Sequence, residues 1–92
     1  MSPAEVVEEL NDFIRENPKP FVRFEARVEW GEVMLRIEGF HMNKAVNSIH
    51  RTPPEVLAWS KNREEIYGIM MERMYTEVLR EMFVFEGWRR DD

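Results

Sequence analysis

Residues 62–86, NREEIYGIMMERMYTEVLREMFVFE, decide the fold. Apolar side chains recur in this stretch at spacings of three and four, which places them on one stripe of a helix. The stripe consists of Tyr67, Met71, Met74, Val78, Met82 and Phe85. Asn62 suits the N-cap position and Gly87 suits the residue after the helix. The pattern predicts one long helix on which most of the other apolar side chains pack.

The same helix carries apolar side chains on a second side. Ile66, Met70 and Val84 lie roughly in line with one another behind the main stripe. A helix in a small monomer rarely needs two apolar faces, so we expect a second contact here, either with another helix of the chain or with a partner. Trp88, beside two arginines, is a further candidate contact residue, and a frayed terminus is the alternative.

Length and composition bound the class of protein. The chain has 92 residues, no cysteine and a formal net charge of −5. We expect a single compact domain over residues 1–87 and a short tail over residues 88–92. The acidic first residues do not resemble a signal peptide, and no apolar run is long enough to cross a membrane, so the cytoplasm is the expected location. A chain this short buries a modest fraction of its surface and would gain stability from oligomerisation.

The N-terminal residues predict a helix. Ser2 suits the N-cap, Pro3 the first helical position, and Glu5 completes a capping box. An apolar stripe at helical spacing follows, consisting of Val6, Leu10, Phe13 and Ile14. Prolines at positions 18 and 20 end the helix.

Two strands are predicted next. Residues 21–30 alternate between apolar and charged side chains, and residues 33–40 return with the same alternation. We prefer a type II′ turn centred on Gly31 and Glu32, because a turn centred on Trp30 and Gly31 requires positive φ at a bulky residue. The alternative turn, centred on Trp30 and Gly31, would place opposite charges across the strands: Glu25 with Arg36, and Arg23 with Glu38.

The segment after the hairpin predicts two short helices. Met42, Ala45, Val46 and Ile49 recur at helical spacing, so residues 43–50 are assigned to the first. Residues 52–55, Thr-Pro-Pro-Glu, form a capping signature for the second, which ends near residue 60. The sequence leaves open whether residues 53–86 form one bent helix or two.

The predicted fold class is therefore α+β. It comprises an N-terminal helix, a two-stranded antiparallel β-hairpin, two short helices and a long C-terminal helix packed on one face of the hairpin. A lone hairpin is marginal in water, and pairing its edge with a second copy would relieve that. The order of elements resembles that of double-stranded-RNA-binding domains in outline. Those domains have three strands and a basic second helix, and we expect neither here, so no family is assigned.

No motif for catalysis emerges. His41, His50 and Glu38 match no standard metal-ligand spacing, and no glycine-rich phosphate loop or nucleophile elbow is present. We therefore expect a protein that is not an enzyme and that uses no metal or cofactor.

Two functional hypotheses follow. The first is a small acidic, non-catalytic protein-interaction module, a homodimer that binds another protein as small regulators or inhibitors encoded by viruses and plasmids do. Its protein-binding residues would be Ile66, Met70, Val84 and Trp88. The alternative is a nucleic-acid-binding regulator that uses the basic segment 41–63, although the net negative charge disfavours it. Its contact residues would be Lys44, Arg51, Lys61 and Arg63.

Overall fold

The computed structural model describes residues 1–58 and 61–83, apart from the side chains of residues 54 and 58. The elements in chain order are α1 (Pro3–Glu16), β1 (Val22–Glu29), β2 (Glu32–His41), β3 (Lys44–Thr52), α2 (Pro54–Ala58) and α3 (Arg63–Phe83). The strands form one antiparallel sheet in the order β1-β2-β3. The α+β class is confirmed, whereas the prediction of a two-stranded hairpin is wrong because the sheet has a third strand.

The first helix begins as its sequence predicts. The Ser2 amide donates to Glu5 Oε1 at 2.8 Å, and the Glu5 amide donates to Ser2 Oγ at 3.2 Å, which completes the capping box. Val6 and Leu10 are fully buried against the sheet. The capping box satisfies two backbone donors that no intrahelical acceptor reaches, and it fixes where α1 starts.

The turn between β1 and β2 differs from the preferred one. Its central residues are Trp30 and Gly31, with φ of 54° and 76°, which corresponds to a type I′ turn. Positive φ at Trp30 costs about 1–2 kcal/mol. The turn matches the twist of the strands and sets Arg23 opposite Glu38, whose side chains form an ion pair at 3.0 Å; cross-strand ion pairs of this kind contribute about 0.2–1 kcal/mol each. The Trp30 side chain is 88% exposed and meets no steric obstacle.

The strand β3 stands where a short helix was predicted over residues 43–50. Met42 and Asn43, with φ of 50° and 64°, make a second type I′ turn that returns the chain along β2. The helical spacing of apolar residues was misleading, because Val46 and Thr52 lie an even number of residues apart and are both buried on the helix-covered face. The third strand stabilises a hairpin that would be marginal alone.

The core lies between one face of the sheet and the helices. The predicted stripe of α3 is buried as far as the structure describes it: Tyr67, Met71, Met74, Val78 and Met82. Phe85 lies outside the described residues. α2 and α3 are separate helices, which answers the question that the sequence left open. Thr52 ends β3, and its buried hydroxyl forms no hydrogen bond in the described part of the chain, so it does not cap α2.

Helix α3 is long but charged. It contains five glutamates and three arginines, a net charge of −2. None of the described helices combines the length and the apolar character needed to cross a membrane. The third strand removes one of the two differences from double-stranded-RNA-binding domains, but the acidic α3 retains the other. Element order alone assigns no family or function.

Candidate protein-binding site

The sheet has two edge strands, β1 and β3, and they differ in how their backbone is satisfied. On an edge strand, the amide and carbonyl of every second residue point away from the sheet. Such unpaired groups are a template on which another strand can pair, and native proteins commonly block them. The contrast between the two edges locates the candidate site.

The edge of β1 is sealed by a side chain of α1. Asn11 Nδ2 donates to the Ala26 carbonyl at 3.0 Å, and the Ala26 amide donates to Asn11 Oδ1 at 3.1 Å. The side-chain amide therefore occupies both outward-facing groups in the middle of the strand, as a neighbouring strand would. Since α1 also packs along β1, a second polypeptide is kept from pairing there.

Among the residues that the structure describes, nothing pairs with the edge of β3. The two-residue turn makes His41 and Lys44 a hydrogen-bonded pair, so every second residue from Lys44 onward bonds to β2. The residues between them direct their amides and carbonyls outward: Ala45, Asn47, Ile49 and Arg51. Within residues 1–58 and 61–83, these groups form no backbone hydrogen bond outside the sheet. The run 45–51 contains no proline, glycine or bulge, so nothing in its sequence blocks strand addition.

Helix α3 flanks the open edge. A groove of about 200 Å³ lies between β3 and α3, and its lining includes His50, Met70, Arg73 and Glu77. Ile66, one helical turn before Met70, lies on the same side of α3, and both are half-buried against the core. Of the residues predicted for the second apolar side of α3, Met70 lines the groove at the β3 edge and Ile66 lies one helical turn from it, whereas Val84 and Trp88 lie outside the described residues.

We name this region the edge surface. It consists of the outward backbone groups of residues 45–51 and the α3 side chains Ile66, Met70, Arg73 and Glu77. Comparisons of the chain with protein-family models, curated proteins and solved structures found no match.

A polar cluster joins α1 to the start of α3. Arg63 Nε and Nη2 donate to the two carboxylate oxygens of Glu9 at 2.6 and 3.1 Å, and the Tyr67 hydroxyl donates to Glu9 Oε1 at 2.8 Å. The hydrogen bond from Arg63 lowers the pKa of Glu9 below its usual value, with a smaller contribution from Tyr67. Burial, and then the hydrogen bond to Glu9, raises the pKa of Tyr67. The cluster is fully paired, which fits a structural role.

Three of the four side chains predicted to bind nucleic acid donate hydrogen bonds to, or form ion pairs with, other groups of the chain. Arg63 belongs to the polar cluster, and Arg51 forms an ion pair with Glu29 on the outer face of the sheet. Lys44 Nζ donates to a backbone carbonyl of α3 at 3.2 Å, and Lys61 is exposed. Nucleic-acid binding stays a prediction, to be tested by salt-dependent retention on DNA or RNA that Arg51→Glu with Arg63→Glu abolishes.

The two histidines lie in different places. His41 packs against Phe83 with ring centroids 4.5 Å apart, and His50 lines the groove at the edge surface. Within the described residues, no group of three His, Asp or Glu side chains is arranged to hold a metal ion. Phe21 and Phe40 form a further exposed apolar surface at the end of the sheet near His41. The β3 edge was not predicted from the sequence, because residues 43–50 were assigned to a helix.

Proposed function

We propose that this chain is a small acidic, non-catalytic protein-interaction module that binds a strand of another polypeptide along the open edge of β3. The observation that carries this proposal is the difference between the edges: Asn11 occupies the outward groups of Ala26 in the middle of β1, whereas four residues of β3 have outward groups that form no hydrogen bond within the described part of the chain. Addition of an extended segment to an exposed sheet edge is a recurrent mode of protein recognition. A regulator or inhibitor that acts only by binding its target needs such a binding edge and no catalytic group.

The edge surface supplies both affinity and selectivity. Four residues with outward amides and carbonyls offer up to eight main-chain hydrogen bonds, each worth about 0.5–1.5 kcal/mol net. Selectivity would come from the side chains on either face of the added strand. On the outer face the incoming strand would meet Ile49, which is 46% exposed, and on the inner face it would meet the groove beside His50 and Met70.

The polar groups elsewhere support a binding role over catalysis. Among the described residues, the largest shift of a pKa is that of Tyr67 in the Glu9–Arg63–Tyr67 cluster, whose hydrogen bonds join side chains of this chain. Catalytic acids and bases need an unmet partner in a cleft that substrate can enter. The edge surface instead offers unpaired backbone groups beside apolar side chains.

The test is selection of binders from a library of displayed random peptides, with two proline variants as a matched pair. Ile49→Pro removes an outward amide from the open edge, and Val28→Pro removes one from the sealed edge. Both residues are β-branched: Ile49 is 46% exposed and Val28 is 42% exposed. The backbone amide of neither residue donates to β2. Proline is tolerated where an edge amide faces solvent, so both variants should fold.

We expect peptides selected on the wild-type chain to bind Ile49→Pro at least about tenfold more weakly, since a hydrogen bond is lost and the ring obstructs the strand. Binding to Val28→Pro should be unchanged. Peptides whose affinity is insensitive to Ile49→Pro, or equally sensitive to both variants, would show that binding does not use the β3 edge.

A further inference from the structure

The outward groups of β3 are arranged so that a second copy of the same strand can satisfy all of them. We propose that the chain occupying the edge surface is a second copy of this protein, paired antiparallel through β3 about a two-fold axis at Ser48, so that two three-stranded sheets become one six-stranded sheet. This inference rests on the proposed function and names its partner.

The register follows from the positions of the outward groups. In an antiparallel two-fold pair, the numbers of facing residues have a constant sum. Only an axis at Ser48 maps the set 45, 47, 49 and 51 onto itself, with Ala45 facing Arg51 of the partner subunit and Asn47 facing Ile49 of the partner subunit. All four outward amides and carbonyls of each copy then find partners. No like charges face each other in this register, because Lys44 faces the partner's Thr52.

The position of α3 fits the same axis. Helix α3 packs on β2 and β3 to a similar extent, so it lies between them in projection. Neighbouring strands are about 4.8 Å apart, so the axis between the two copies of β3 passes about 5 Å from α3. The two α3 helices would lie about 10 Å apart on the same face of the sheet. Packed helices lie about 8–10 Å apart, so the two helices would be in contact without collision.

Charge also favours a second copy over a strongly charged partner. The flank of α3 carries one arginine and one glutamate, Arg73 and Glu77, beside apolar Ile66 and Met70. Arg51 is neutralised by Glu29 within its own copy. The edge surface is therefore near neutral in a chain of net charge −5, and two copies meet there without placing their acidic surfaces together. An apolar stripe beside a strand edge is self-complementary, as a two-fold interface requires.

Cysteine substitution tests the register, because the chain has no cysteine of its own. At an axis through Ser48, the two Ser48 residues form a non-hydrogen-bonded pair with Cα atoms about 4.5 Å apart, within the range that a disulfide spans. Asn47→Cys is the control, since its two copies would be about 8–9 Å apart, beyond the limit of about 7 Å. Oxidation should convert Ser48→Cys into a covalent dimer and leave Asn47→Cys largely uncoupled.

Light scattering on the same samples separates this inference from the proposed function. The wild-type chain and Val28→Pro should have twice the monomer mass of 11.1 kDa, and Ile49→Pro should have the monomer mass. A monomeric wild-type chain that still selects peptides in an Ile49-dependent manner would overturn the second copy and leave the proposed function standing. Cross-linking at Asn47→Cys instead of Ser48→Cys, or a dimer that survives Ile49→Pro, would overturn the pairing proposed here.

Discussion

Because Asn11 holds both outward backbone groups of Ala26, we expect substitution of Asn11 to destabilise the fold. Asn11→Ala removes two hydrogen bonds to Ala26, at 3.0 and 3.1 Å, and leaves the backbone groups of a central residue of the strand unpaired. At about 0.5–1.5 kcal/mol per bond, unfolding free energy should fall by about 1–3 kcal/mol. For a domain of this size each kcal/mol lowers the melting temperature by about 4–8 °C. Chemical denaturation and calorimetry measure both quantities.

A more discriminating variant is Asn11→Asp. Its carboxylate can accept from the Ala26 amide but cannot donate to the Ala26 carbonyl, so at neutral pH it places two acceptors together and should be at least as destabilising as alanine. Below about pH 4 the protonated carboxyl regains one donor and one acceptor, and the deficit relative to wild type at the same pH should shrink. Asn17→Ala, which loses one exposed bond to the Phe13 carbonyl, is the control and should cost less.

Equal stability of Asn11→Asp and wild type at neutral pH would show that the reciprocal hydrogen bonds between Asn11 and Ala26 do not form. Removal of the seal should also expose β1 to pairing, so Asn11→Ala should form species larger than the wild-type chain does at equal concentration.

Further predictions concern the polar cluster and two glycines. Hydrogen bonding lowers the pKa of Glu9 in the folded state, so the stability that its carboxylate contributes is complete above the unfolded-state pKa of about 4.3 and is lost as pH falls through the folded-state pKa. In urea unfolding at a series of acidic pH values, the free energy of unfolding of Glu9→Gln should therefore fall less steeply with pH than that of the wild type. Tyr67→Phe removes a buried donor to a carboxylate and should cost about 1.5–3 kcal/mol by the same assay, and no change would contradict the cluster. In Gly39→Ala the added β-carbon would overlap the Met82 side chain and lie 3.1 Å from Val78 Cγ1, so the free energy of unfolding should fall by about 1–3 kcal/mol. Unchanged stability would mean that α3 does not pack closely on Gly39. Gly68→Ala meets nothing closer than 3.8 Å and should stabilise α3 by about 0.5–1 kcal/mol, with a loss of stability arguing against this packing.

Features set by local chemistry were predictable from the sequence. The capping box at Ser2 and Glu5 depends on residues three apart, and the buried stripe of α3 depends on spacings within one helix. The alternation in β1 likewise identifies its inner face, although Val28, near the turn, remains exposed. In each case the signal lies within a few residues of the position that it describes.

Features set by contacts distant in sequence were not predictable. The segment 44–52 has apolar residues that fit both a helix and a strand, and pairing with β2 decides between them. The roles of Asn47 and Ile49 at the open edge were missed for that reason. In the sequence, Asn11 is one of several polar residues of a helix, and its partner Ala26 lies fifteen residues away. The residues next to Asn11 therefore give no sign of these hydrogen bonds. The apolar flank of α3 at Ile66 and Met70 was visible, but the edge beside it was not.

Amide hydrogen exchange, residue by residue at the two edges of the sheet, tests most directly whether a second copy occupies β3. The comparison is between the wild-type chain and Ile66→Glu with Met70→Glu, which places charge on the flank of α3 and should separate the copies. We expect the Asn47 and Ile49 amides to exchange slowly in the wild type and rapidly in the variant. The Ala26 amide, held by Asn11, should be protected in both, which reports that the fold is intact. If the Asn47 and Ile49 amides exchange rapidly in the wild type while Ala26 is protected, no second chain occupies the β3 edge.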